Sequence, residues 1–140
     1  MPALSAVALV TALLTGCTGS ASGAPEVQAF PTPAVERFSQ GTCALAAPDV
    51  LAVGGAARDL GEGPQVDPAV SGRLREAQER LRDVAETAEP RLKPALDMLV
   101  TRIGLVRLAA DAERFGPDRT RELREGYDAV LAVCTAPGTD

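Results

Sequence analysis

DPAVSGRLREAQERLRDVAETA, residues 67–88, is the stretch that decides the fold. Asp67 has a side-chain oxygen that can accept from the free amides of a first helical turn. Pro68 suits the first helical position, where a missing N–H costs nothing. Val70, Leu74, Ala77, Leu81, Val84 and Ala88 then recur at spacings of three and four, the seam of helices that pack lengthwise. The opposite face carries Arg75, Glu76, Glu79, Arg80, Arg82 and Glu86. Pairs such as Arg75/Glu79, Glu76/Arg80 and Arg82/Glu86 stand one turn apart, each worth a few tenths of a kcal/mol. One face is for a core and the other is for water.

The same pattern extends downstream. A helix opening at Pro90 or Pro94 and running to about Phe115 has an apolar stripe of Leu92, Leu96, Leu99, Val100, Ile103, Val106 and Ala110. Leu105 and Leu108 widen that stripe, which predicts the most buried helix of the set. Gly116-Pro117 ends it and starts a last helix, to Cys134, with Leu123, Tyr127, Val130, Leu131 and Cys134 on one face. Upstream, Pro48 fits the start of a helix to about Leu60, with Asp49 favouring its N-terminal dipole. Val50, Val53 or Gly54, Ala57 and Leu60 share its face. Gly54-Gly55 lowers helix propensity by about 2 kcal/mol and marks either a close helix contact or a kink. Cys43 lies just before this helix, and GEGPQ, 61–65, is a loop.

Short connections favour antiparallel neighbours. The predicted fold is therefore all-α, an antiparallel up-down-up-down four-helix bundle. The alternative is a three-helix bundle with an irregular N-terminal segment.

Chemistry is sparse. The chain has no His and no Trp, which removes the commonest general base and transition-metal ligand and every Ser-His-Asp or Cys-His site. No carboxylate repeat of the di-metal bundles is present, and no Gly-rich phosphate loop. DLGEGPQVD, 59–67, is acidic and Gly-rich but lacks the spacing of a calcium loop. Carboxylates such as Glu76, Glu79 and Asp83 read as solvated surface, and Tyr127 as a core or rim aromatic. Arg102 and Arg107 interrupt an apolar helix, so each either snorkels to water or pairs with an acid such as Asp97 or Asp111. With a net charge of −5 and no basic block, the chain is ill-suited to gripping nucleic acid or anionic lipid by charge. No catalytic, cofactor or metal residue is expected.

The N-terminal run MPALSAVALVTALLTG is free of charged side chains, and its apolar core is too short to span a bilayer. Leu14-Thr15-Gly16-Cys17 closes it. This stretch resembles the lipobox of bacterial lipoproteins. The resemblance implies a signal peptide over 1–16, removed before Cys17, and diacylglycerol joined to the Cys17 thiol. Two acyl chains give stable anchoring, so the localisation implied is the extracytoplasmic side of the cell membrane. An ordinary signal peptide cut near Ala21-Ser22-Gly23-Ala24, or a cytoplasmic chain with an apolar start, are the alternatives. Residues 17–41, rich in Gly, Ser and Ala and then in Pro, read as a tether reaching about 70 to 80 Å if fully extended. The bundle domain is expected over 42–136, with a frayed tail over 137–140.

With Cys17 assigned to lipid, Cys43 and Cys134 remain. Outside the cytoplasm two such thiols are expected to join, and an up-down-up-down bundle brings the start of its first helix to the end of its fourth. Two buried free thiols are the rival. The functional expectation is a non-catalytic envelope lipoprotein, a tethered interaction or accessory module with an unidentified envelope protein as partner. The alternative is a bundle that binds a small apolar molecule or lipid between its helices.

Overall fold

The computed structural model describes residues 29–135. Four helices follow one another: α1 Thr42–Arg58, α2 Pro68–Glu86, α3 Lys93–Asp111 and α4 Pro117–Cys134. Among the described residues there is no strand. Each helix packs on the next in sequence and α4 closes on α1, which makes the up-down-up-down four-helix bundle. Helix α2 begins as its sequence asks, with Asp67 Oδ1 accepting from the Ala69 amide at 2.7 Å and Pro68 in first place. Its seam residues Val70, Leu74, Ala77 and Leu81 are buried, while Val84 and Ala88 are only partly so. Helix α4 has the bounds read from the sequence, and Leu123, Tyr127, Val130, Leu131 and Cys134 all face the core.

Helix α1 differs from expectation. It starts at Thr42, and Pro48 lies inside it. An internal proline leaves the carbonyl four residues earlier without its amide. Here that residue is Ala44, and Ala44 and Pro48 are both exposed, so the break in the hydrogen-bond ladder falls on the solvent side of the helix. Cys43, Ala46 and Ala47 on the other side are buried, and that burial holds the first turn in place. The segment is regular, so the three-helix alternative falls. Helix α3 also starts later than Pro90 and ends at Asp111, short of Phe115.

The most buried helix is α1, not α3. From Val50 to Ala57 its residues Val50, Val53, Gly54, Ala56 and Ala57 face inward. Small residues let a helix approach its neighbours closely, and Gly54 shows why. A Cβ there would stand 2.7 Å from Tyr127 Oη and 2.9 Å from Cζ. The glycine is a seat for the tyrosine ring of α4.

Residues 29–41, read from sequence as the end of a tether, belong to the domain. Phe30 is 4% exposed and Phe38 6%. Phe30 meets Tyr127 edge to face, with centroids 5.4 Å apart, and lies beneath the Arg124 guanidinium. Three successive carbonyls are held: Ala29 O accepts from Arg124 Nη1 at 2.9 Å, Phe30 O from Arg58 Nη1 at a longer 3.5 Å, and Pro31 O from Tyr127 Oη at 2.7 Å. Arg58 also donates to the Thr32 hydroxyl. The segment is thus a strap along the groove between α1 and α4. After a short 3-10 turn at Val35–Arg37, Ser39 donates through its amide and its hydroxyl to Cys134 O, satisfying a carbonyl that the end of α4 leaves free.

The same end of the bundle holds the disulfide. Cys43 and Cys134 are bonded, with Cα atoms 5.3 Å apart and a separation of 91 in sequence. At the opposite end the Phe115 amide donates to Pro64 O at 3.2 Å, tying the α3–α4 connection to the α1–α2 loop.

Candidate interaction surface

Inward, α3 presents Leu92, Leu96, Leu99, Ile103 and Val106, all buried. Its other side is apolar too. Pro94, Met98, Thr101, Leu105, Leu108 and Ala112 follow one another at spacings of three and four along the face turned away from the core. Met98 is 43% exposed and Leu108 66%; Leu105 is half-buried. The widened stripe read from sequence is therefore two stripes. Leu105 and Leu108 do not enlarge the core but face outward, because one helix in a four-membered ring can turn only part of its circumference inward. Contiguous exposed apolar strips on a small domain mark contact sites.

The outward face of α2 offers the contrast, with Arg75, Glu76, Glu79, Arg82, Asp83 and Glu86 all exposed. The three ion pairs expected along it are not those that form. Arg80 reaches across to Asp49 of α1, Nε to Oδ1 at 2.6 Å, and this hydrogen bond and charge hold its pKa above the ordinary arginine value. Asp49 is itself only 8% exposed. A cross-helix partner that is already fixed costs less side-chain entropy than an exposed neighbour one turn away.

Arg102 and Arg107 find partners that the sequence reading did not name. Arg102 lies 3.7 Å from Glu122 and 3.8 Å from Glu125, both on α4. Arg107 Nη1 donates to Gln78 Oε1 at 2.7 Å. Gln78, missed from sequence, is 5% exposed and donates through Nε2 to Val100 O at 3.0 Å. A Cβ on Gly104 would stand 2.9 Å from that nitrogen, so the glycine makes the slot for the amide. The signal was available: Gln78 follows Ala77 and precedes Leu81 by three, which sets it on the core face of α2. Asp97 pairs with Lys93 at 3.1 Å.

Tyr127 is a core residue whose hydroxyl serves the strap. Burial holds its phenol above the ordinary tyrosine pKa, so at neutral pH it remains a donor. In the 59–67 loop, Asp59 is engaged by Arg73 at 2.6 Å and Asp67 caps α2. Among the described residues no three His, Cys, Asp or Glu side chains stand together as metal ligands would. One surface depression, about 320 Å³, is lined by Ser71, Gly72, Arg75, Arg107 and Asp111 beside Val66 and Ala110. Another, about 270 Å³, lies by Arg114, Asp118, Arg119 and Glu122. Both are open and charged, unlike the apolar space between helices that a lipid-sized ligand would need. No described helix is long and apolar enough to cross a membrane. Cys17, expected to carry lipid, and the expected signal peptide over 1–16 lie outside the described residues, as do most of the expected tether and the expected 137–140 tail.

No protein-family model, no curated protein and no solved structure matches this chain.

Proposed function

We propose that the chain is a non-catalytic cell-envelope lipoprotein whose bundle is a protein-interaction module, held at the outer face of the membrane by lipid on Cys17. The outward face of α3 carries the interaction half of this reading: Met98, Leu105 and Leu108 form an apolar strip that contributes nothing to the core. Four helices, a strap and a disulfide fold the domain without it. The anchoring half rests on Leu14-Thr15-Gly16-Cys17.

The strap shortens the leash. Residues 18–28 are what separates Cys17 from the first strapped residue, and that length of chain reaches at most about 40 Å. The module then works close to the bilayer surface.

The intact mass of the protein extracted from its own membranes tests the anchor. A mass equal to residues 17–140 plus diacylglycerol supports it, and a soluble unlipidated chain refutes it. Photo-crosslinking from position 108 in those membranes tests the module. A specific adduct supports the reading, and no adduct above that from the charged face of α2 refutes it.

A further inference from the structure

Taking the bundle as an interaction module, we infer that the partner on the outward face of α3 is a second copy of this chain, with α3 lying antiparallel against α3. The strip is self-complementary about Ile103. Met98 and Leu108 lie equally far from that residue on either side, and so do Thr101 and Leu105, and Pro94 and Ala112. A twofold axis crossing the helix there sets each residue of the strip beside another residue of the same strip. That is the requirement of an isologous contact, in which one patch meets itself.

The flanking charges follow nearly the same symmetry, centred on Arg102, one residue from the centre of the strip. Lys93, Asp97, Arg107 and Asp111 lie along the edge of the strip nearest α2, where Lys93 Nζ reaches Ala85 O at 3.3 Å and Arg107 reaches Gln78. In an antiparallel pair this edge faces its own copy. Lys93 comes within two residues, about 3 Å along the axis, of the second copy's Asp111, and Asp97 equally near the second copy's Arg107, within reach of these long side chains. Within one chain Asp111 has no ion partner among the described residues, and Arg107 is bonded only to the neutral amide of Gln78. Pairing two chains gives both of them opposite charges. A parallel pair would put Lys93 level with Lys93 and Asp111 with Asp111 and would gain no such match.

The contact is of modest size. From Pro94 to Ala112 the strip is about 27 Å long, and one helix face of that length falls at or below the area of a standard stable interface. Pairing is therefore weak in dilute solution. Confinement to a membrane surface raises the effective concentration without new contacts. A leash of about 40 Å exceeds the length of the bundle, about 28 Å, so two copies in opposite senses can share one membrane.

The test uses the full chain in its own membranes, with Leu108 replaced by photoreactive benzoylphenylalanine. The expected product has twice the chain mass and contains this chain alone. A product containing a different protein overturns the second-copy inference and leaves the interaction module standing, whereas no product overturns both. Register is read by co-expressing Met98→Cys and Leu108→Cys variants under different tags. They should link to one another, and Met98→Cys alone should not link to itself, since its two copies stand about 15 Å apart along the axis. Self-linking of Met98→Cys overturns the antiparallel arrangement. Lys93→Glu or Asp111→Lys should each cut the photoproduct several-fold, and the double variant should restore it; a double variant no better than either single one overturns the register.

Discussion

The groove between α1 and α4 and the outer face of α3 are both apolar surfaces outside the inner seams of the bundle, with opposite fates. The first is covered by the chain itself: Phe30 fills it, Tyr127 and Arg124 grip the strap, and the disulfide and Ser39 close one end. The second is covered by nothing among the described residues, and Leu108 stands 66% exposed. A domain that can spare a segment to seal one apolar surface has no folding reason to leave another bare. The difference separates what the bundle uses to hold itself together from what it offers outward.

Substitutions on the sealed side should cost stability, and those on the open side should not. Cys134→Ser has the largest expected effect. It frees a loop of 91 in sequence separation, for which the chain-entropy model gives about 4 to 5 kcal/mol, read by urea unfolding with and without reductant. An unchanged midpoint would show that packing alone closes the α1–α4 seam. Phe30→Ala comes next, at about 3 kcal/mol for a buried aromatic. If the midpoint holds, the strap is a loose cover rather than part of the core.

Gly54→Ala should destabilise by about 1 to 2 kcal/mol. The added methyl meets a ring fixed in the core, and that overpacking outweighs the roughly 1 kcal/mol that alanine returns in helix propensity. A more stable variant would mean that Tyr127 can step aside.

Alkaline pH probes the same contact. Tyr127 is the only tyrosine, so tyrosinate absorbance reports it alone, and its midpoint should lie above the ordinary value because burial disfavours the phenolate. The unfolded chain then releases this proton at lower pH than the folded one. The contribution is flat below the ordinary tyrosine pKa and falls as pH rises through it toward the folded value. Tyr127→Phe should abolish that slope while costing about 1 kcal/mol at neutral pH for the lost bond to Pro31 O. A midpoint at or below the ordinary value would show the hydroxyl to be open to water. Leu108→Gln has the smallest expected effect on unfolding, within about 0.5 kcal/mol of the parent, yet it should remove the two-chain product formed when the photoreactive residue stands at position 98 instead. A clear loss of stability would place Leu108 in the core and dissolve the contrast.

Much of the architecture is legible in local signals. The Asp67-Pro68 start of α2, the Gly116-Pro117 start of α4 and the three-and-four spacing of their buried residues follow from backbone capping and helical period alone. The pairing of Cys43 with Cys134 follows once the helix order is known, since the ends of the first and fourth helices meet. Residues 29–41 are not legible in this way. Pro31 and Pro33 exclude helix and suggest a tether, but a proline-rich segment is held or free according to whether a groove receives it, and this groove is made by α1 and α4, far away in sequence.

Pro48 misleads for a related reason. Its local preference is for a helix start, and only the burial of Cys43, Ala46 and Ala47 pulls the preceding turn into helix. The two-sided stripe of α3 is the last case. Periodicity lists which residues share a face, but both faces of α3 are apolar, so only the positions of its neighbours decide which becomes core. By itself the sequence determined the four helices and their order, because capping, period and chain direction are local properties; the cysteine pair was an expectation that rested on that order, and the fold closed it. The strap, the Gly54 seat for Tyr127, the Gln78–Arg107 link and the uncovered face of α3 were decided by the tertiary structure alone, because each depends on which surfaces distant segments bring within reach.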